Sequence, residues 1–185
     1  MTKAQLTVLA GPTAVGKGTV VAALTKLYPT LNVSVSATTR DPRPGELNGV
    51  HYYFVSAQEF DAMIERGDML EWALVHGKNK YGTPRGPVDE ALAAGKPVLL
   101  EIDLAGARQV RTNRPDAQFI FLAPPSWDEL ERRLIGRGTE GPEEQARRLA
   151  TARIELEAAS EFDHVVINDD VERAVDELAR LIGLE

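Results

Sequence analysis

Nine residues, Gly11-Pro12-Thr13-Ala14-Val15-Gly16-Lys17-Gly18-Thr19, combine glycines with one lysine at a spacing suited to binding phosphate. Glycines let successive backbone N–H groups turn into one concavity that cradles phosphate oxygens. Lys17 adds a point charge for terminal phosphates, and a helix starting here adds unpaired amides and the positive end of its dipole. The apolar run Leu6-Thr7-Val8-Leu9-Ala10 before the turn supplies the strand a P-loop needs, and Val20, Val21, Leu24 and Leu27 after it supply the helix. One position departs from the strict motif. Gly18 follows the lysine where a Ser or Thr hydroxyl would meet magnesium, and the hydroxyl arrives one residue later at Thr19. Backbone binding of a nucleotide is expected to survive this. The direct protein ligand to the metal is what the departure puts in question.

A second candidate is the stretch Ser36-Ala37-Thr38-Thr39-Arg40-Asp41-Pro42-Arg43-Pro44-Gly45-Glu46, continuing to Gly49, Tyr52 and Phe54. Pro42 and Pro44 exclude a helix, so Arg40 and Arg43 stand on a stiff loop. Two guanidinium forks suit a terminal phosphate, with a tyrosine hydroxyl as a further donor. The same arginines suit pairing with Asp41 and Glu46 on a solvated loop. Glu101 and Asp103 lie two apart at the end of a strand and are expected on one face, beside the crevice where such sheets bind ligands. Asp103 equally suits capping the helix after it. Arg132, Arg133, Arg137, Arg147 and Arg148 all fall between Ser126 and Arg148. In a chain of net charge −7, arginine gathered into one segment suits a small polyanion better than a nucleic-acid polymer. His51, His76 and His164 are scattered and form no metal or base arrangement.

The elements that must position these groups alternate between strand and helix. Asn32 to Val35 is a short strand candidate, and Ser56-Ala57-Gln58-Glu59 is a capping box opening a helix that buries Phe60, Met63 and Ile64 and stops near Gly67. A helix is expected from about Pro87 to Ala94, a buried strand over Val98 to Asp103, a helix near Ala105 to Arg111, and a strand over Gln118 to Leu122. Ser126-Trp127-Asp128-Glu129 opens another helix, Pro142 starts a long one to about Ser160, Val165 to Ile167 is a last strand, and Val171, Ala174, Val175, Leu178 and Leu181 mark a final helix. Such alternation specifies an α/β fold with a mostly parallel sheet. The stretches Ser36 to Thr83, read as loops, aromatics and one short helix, and Ser126 to Arg148 look inserted into it.

The 185 residues, 43% apolar and 26% charged, fit one domain with a sizeable core. Zero cysteines exclude a disulfide framework and thiolate metal sites and fit a reducing compartment. The start, Met1 to Gln5, is too short for a signal peptide and no run approaches a membrane span, so a cytoplasmic location is expected.

With the P-loop, the run Ser36 to Glu46 and Gly49-Val50-His51-Tyr52-Tyr53-Phe54 resemble guanylate kinase. So do Leu70-Glu71-Trp72-Ala73, Tyr81-Gly82-Thr83 and Ile135-Gly136-Arg137-Gly138-Thr139-Glu140. The resemblance runs in order from about Leu6 to the C-terminus. It implies a P-loop NTPase-type three-layer fold, a single domain over residues 4–184. Its core would be residues 4–35, 84–125 and 149–185, with a GMP-binding insertion over 36–83 and a helical lid over 126–148. It implies transfer of phosphate from ATP to GMP with Mg²⁺, small-molecule substrates only, and no nucleic acid, membrane or obligate protein partner.

By the same resemblance, Arg40, Arg43, Tyr52 and Tyr81 hold the phosphate of GMP, with Glu46 in the same loop. Ser36, Glu71 and Thr83 read the guanine. One carboxylate can accept both guanine N1–H and the exocyclic amine, whereas adenine would face it with a bare N1. Glu101 and Asp103 suit water-mediated contact to Mg²⁺ or contacts to guanosine; Thr19 is a further candidate for the metal through water. Arg137 and Arg148 close on the transferring phosphoryl group, Arg133 lies over the ATP side, and Asn168 suits either adenine or the turn after its strand. Arg132, Arg147 and Arg153 are expected to pair on the surface. Lys78-Asn79-Lys80 makes the stretch before Tyr81 one residue longer than the family's spacing. A kinase for a ribose bisphosphate or another nucleotide would lack the guanine-reading set. A guanylate-kinase-like interaction module would lack Lys17, Arg137 and Arg148.

Overall fold

The computed structural model describes residues 3–136, 138 and 140–185. At its centre lies a parallel sheet in the order β2-β7-β1-β8-β9, formed by β1 (Leu6–Ala10), β2 (Asn32–Val33), β7 (Val98–Glu101), β8 (Gln118–Ala123) and β9 (His164–Ile167). Period-two alternation divides β1 between two cores. Leu9 faces Val20, Val21 and Leu24 of α1 (Lys17–Leu27), together with Ala174, Val175 and Leu178 of α7 (Val171–Ile182). Leu6, Val8 and Ala10 face the other way, onto Val88 and Ala91 of α3 (Arg85–Ala93) and Ala107 and Val110 of α4 (Leu104–Asn113). The result is a three-layer α/β fold: the alternation specified the parallel sheet, and the resemblance implied the three layers. The central strands read as continuous apolar runs because both faces are covered.

Residues 36–84 hold more regular structure than the sequence suggested. A second sheet, ordered β4-β3-β6-β5, joins β3 (Ala37–Thr38), β4 (Tyr53–Phe54), β5 (Met69–Val75) and β6 (Asn79–Pro84). β5 and β6 form an antiparallel hairpin over His76-Gly77-Lys78, with His76 and Gly77 both at positive φ. Lys80, in the stretch read as one residue too long, pairs with Thr39 through its amide and with Asp61 through its ammonium. α2 (Ala57–Glu65) is capped by Ser56, whose hydroxyl accepts the Glu59 amide at 3.0 Å, and it closes a small cluster of Ala37, Phe60 and Met69.

Other boundaries shift by a few residues. α3 starts at Arg85 rather than Pro87, and α4 runs from Leu104 to Asn113. α5 (Trp127–Ile135) is capped by Ser126, while α6 (Pro142–Glu157) gives way to a 3₁₀ turn over Ala158–Glu161. β2 stops at Val33, although the Ser34 amide still reaches Leu99 O at 3.0 Å.

Candidate active site

The P-loop leaves the central strand β1 at its carboxyl end and returns as α1. Its shape depends on two glycines with no room for a side chain. A Cβ on Gly11 would stand 2.5 Å from Leu122 O, and one on Gly16 would stand 2.8 Å from Asn168 Nδ2. Gly16 also adopts φ 94°, and Ala14 a φ of 68°, the left-handed turn that points successive amides inward. By contrast, a Cβ on Gly18 would meet nothing within 4 Å.

Residues 11–19 line a cavity of about 440 Å³ that is completed by Glu101, Asp103 and Glu155. Lys17 Nζ donates to Ile102 O at 3.1 Å, which draws the ammonium across the end of β7. Burial lowers its pKa, and the carboxylates of Glu101, Asp103 and Glu155 oppose that shift. Two residues brace the loop from behind. Asn168 Nδ2 donates to Val15 O at 2.8 Å, and Arg133 Nη1 reaches the same carbonyl at 3.3 Å while Glu129 holds its Nε. The buried Asn168 amide is therefore engaged with the P-loop, directly behind Gly16.

Glu101 and Asp103 meet in this cavity, but not as two residues of one strand. β7 ends at Glu101; Asp103 is the N-cap of α4 and accepts the Gly106 amide at 2.7 Å. Its capping role and its place in the cavity coexist, because the helix starts at the cavity wall.

The base-reading candidates lie one step further along. Glu71 and Thr83 are buried opposite each other on β5 and β6, and Thr83 Oγ1 donates to Glu71 Oε1 at 2.8 Å. Burial raises the Glu71 pKa, with the Asp103 charge adding to the effect and the Thr83 hydrogen bond opposing it. A Cβ on Gly106 would stand 3.1 Å from both Asp103 Oδ1 and Glu71 Oε2. That glycine is what lets the two carboxylates approach the same turn of α4. Ser36 precedes β3, its carbonyl accepting the Tyr53 amide at 2.8 Å.

Arg40 is held as a fork by Glu46, Nη1 to Oε1 at 2.8 Å and Nη2 to Oε2 at 3.0 Å. Its guanidinium lies 5.3 Å from the ring centre of Tyr52, whose ring in turn meets Tyr81 edge-on at 5.9 Å. Glu46 also accepts the Arg43 amide at 2.7 Å, and these contacts hold its carboxyl down at about 2. Arg40 touches Asp41 only at the main-chain carbonyl, 2.8 Å away. The Arg43 side chain is exposed. Internal pairing of Arg40 and a cluster of Arg40, Tyr52 and Tyr81 are thus both present.

A second cavity of about 440 Å³ adjoins the P-loop at Thr13 and is lined by Glu144, Arg147, Arg148 and Thr151. Arg148 reaches Glu140 at 2.5 Å. Arg137 lies outside the described residues. Arg132 pairs with Glu129, Arg147 with Glu144, and Arg153 stacks 3.9 Å over the Trp127 ring, all on the surface as expected. Sequence reasoning missed Glu155, which sits on α6 seven residues after Arg148 and accepts the Thr13 amide at 3.2 Å. The available signal was spacing, since seven residues are two helical turns and return to one face.

Comparison with known proteins places this geometry. The family model described as guanylate kinase matches residues 3–185. A guanylate kinase of Nocardia farcinica is 61% identical over 180 residues, covering 97% of this chain and 93% of its own. One from Thermobifida fusca is 61% identical over 179 residues, covering 97% and 91%. The crystal structure of guanylate kinase from Anaplasma phagocytophilum superimposes with a TM-score of 0.74 at 31% identity, covering 99% of this chain and 86% of that one.

Proposed function

The chain belongs to the guanylate kinase family and is a nucleoside monophosphate kinase, and we propose that it transfers the γ-phosphoryl group of ATP directly to GMP. A phosphate oxygen of GMP attacks the γ-phosphorus, the bond from that phosphorus to the bridging oxygen breaks, and its electron pair leaves on ADP; GDP is the other product. The second pKa of a phosphate monoester is about 6, so the nucleophile is largely deprotonated at neutral pH and needs no general base. Catalysis then rests on alignment and charge neutralisation.

In this reading the amides of residues 11–19 and Lys17 hold the phosphates of ATP, and Arg133 and Asn168 keep the loop in shape through the Val15 carbonyl. Arg40, Arg43, Tyr52 and Tyr81 take the phosphate of GMP, with Glu46 setting the orientation of Arg40. Ser36, Glu71 and Thr83 take the guanine. Arg148, and Arg137 from the adjoining segment, approach the transferring group. Residues 36–83 act as the GMP-binding insertion and 126–148 as the lid on one domain.

The donor set fits magnesium held chiefly by the nucleotide. Thr19, Glu101 and Asp103 share the cavity with the P-loop, and no cluster of three His, Cys, Asp or Glu among the described residues could hold a metal unaided. Bound there through water, the ion would neutralise charge on the ATP oxygens. No helix among the described residues is long and apolar enough to cross a membrane, and the absence of cysteine supports a reducing, cytoplasmic setting.

The observation that carries this reading is the shared turn at Gly106, which sets the buried Glu71 beside Asp103 at the wall of the P-loop cavity. A carboxylate that discriminates guanine thus adjoins the phosphate cradle. ADP formation measured with ATP and GMP, AMP, CMP or UMP in turn is expected to be fast with GMP alone. Comparable rates with AMP would overturn the substrate assignment.

A further inference from the structure

Glu155 is a half-buried carboxylate in the wall of the ATP cavity, and phosphoryl transfer as described gives it no task. Its position is unusual for an anion. Oε2 accepts the Thr13 amide at 3.2 Å, so it occupies a P-loop donor. It also lines the cavity with Lys17, whose ammonium its charge stabilises after Glu101 and Asp103. A backbone amide at the cradle's rim and the cradle's lysine are the partners an incoming phosphate oxygen seeks.

We propose that Glu155 competes with the phosphates of ATP for Thr13 and Lys17, and so sets both the affinity of the cradle and the stance of helix α6. The proposal rests on the ATP-dependent reading above. A carboxylate and a phosphate cannot share these donors, because like charges in a poorly solvated cavity repel strongly. Nucleotide must therefore displace Glu155, and the measured affinity is the intrinsic one reduced by the fraction of molecules in which Glu155 has released.

The helix converts that exchange into movement. Arg148 and Glu155 are seven residues apart on α6, about 10 Å along its axis. Each borders Thr13: Arg148 through the cavity they line together, Glu155 through its hydrogen bond. A phosphate chain seated at Thr13 repels the Glu155 end and attracts the Arg148 end. Around Thr13, α6 sets Glu155 on one side and Arg147 and Arg148, with Glu144 beside them, on the other, and occupancy of the cradle tilts the helix toward the arginines. The same repulsion would favour departure of ADP after transfer.

Calorimetric titration with ATP, without GMP, tests this in the parent, Glu155→Gln, Glu155→Ala and Glu155→Asp. Gln keeps an oxygen that accepts the Thr13 amide and removes the charge. Both neutral variants are expected to bind ATP about fivefold to tenfold more tightly than the parent, and Asp is expected to restore weaker binding. The KM for ATP should fall in the neutral variants with no gain in kcat. A purely structural Glu155 would instead lower the melting midpoint and weaken ATP binding in the Ala variant, leaving Gln like the parent. Unchanged or weaker binding in both neutral variants would overturn the proposal. A parent that binds no ATP would overturn the phosphotransfer reading as well, so the two failures are distinguishable.

Discussion

Thr83 Oγ1 donates to Glu71 Oε1 across the β5–β6 pair at 2.8 Å, so the two residues proposed to read guanine also fix each other's orientation. The hydroxyl satisfies one carboxylate oxygen and leaves the other beside Gly106 and Asp103. A rigid acceptor in a buried site is what base discrimination requires, since an unmatched partner then leaves a polar group unpaired.

Glu71→Gln is expected to lower the ratio of kcat/KM for GMP over AMP by at least about tenfold, out of the ~10⁴ such sites can supply. Its amide can donate to adenine N1, whereas the carboxylate only accepts. Burial raises the pKa of Glu71 in the folded chain, so its ionisation costs stability as pH rises from its ordinary 4.5 through the raised value. The variant lacks that cost and should melt at or above the parent temperature at neutral pH. GMP binding by the parent should weaken on acidification at a higher pH than an ordinary glutamate would produce, and the variant should not show that step. Specificity constants across pH, with ATP saturating, check the selectivity and the acid step, and thermal melting at neutral pH checks the stability.

Lys17→Met is expected to reduce kcat by at least about 10²-fold while the fold persists. Burial already lowers the pKa of this ammonium, so an apolar side chain of similar length removes a desolvated charge and leaves the backbone cradle in place. Thermal melting and turnover measured together separate loss of chemistry from loss of fold.

Two glycines of the same loop should respond in opposite ways. Gly16→Ala forces a Cβ against Asn168 at a φ of 94°, and ATP binding should fall steeply. Gly18→Ser enters open space in the first turn of α1 and should be tolerated, with a midpoint equal to or above the parent's. Its hydroxyl should also lower the magnesium concentration needed for half-maximal rate. Calorimetry with ATP and a magnesium titration of the rate test the pair.

Arg148→Ala should lower kcat by about 10²-fold or more and leave the KM for GMP within a few-fold. The arginine borders Thr13 rather than the Arg40–Tyr52 cluster, so its work is on the transferring group. Equal loss in GMP binding with turnover kept would reassign it.

Much of this was legible in the sequence. Central strands such as Val98-Leu99-Leu100 declare themselves because burial on both faces demands unbroken apolar runs. Helix starts at Ser56 and Ser126 declare themselves because only a short polar side chain can satisfy the free amide three residues on. The β5–β6 hairpin stayed hidden, since Glu71 is turned inward and Leu74 outward, against the usual polarity rule. The spacing of Asp103 from Glu101 matches a strand, yet the strand ends at Glu101 and Asp103 is already the cap of the next helix. Glu155 was hidden for a different reason. Its seven-residue spacing from Arg148 marks the helix face, but its partner is a backbone amide more than a hundred residues away, which no local pattern encodes.

The outer edge of β5 carries one more consequence. Met69-Leu70-Glu71-Trp72-Ala73-Leu74-Val75 is a mostly apolar strand at the end of its sheet, the kind of edge that templates pairing between molecules. Here α4 supplies substitutes for a neighbouring strand. Gln109 Oε1 accepts the Trp72 amide at 3.0 Å, its Nε2 donates to the Trp72 carbonyl at 2.9 Å, and Asn113 Nδ2 donates to the Leu70 carbonyl at 2.9 Å. The strand that presents Glu71 can therefore stay apolar without inviting self-association. Gln109→Ala should retain GMP selectivity yet scatter light on warming at a lower temperature than the parent, an effect that grows with protein concentration.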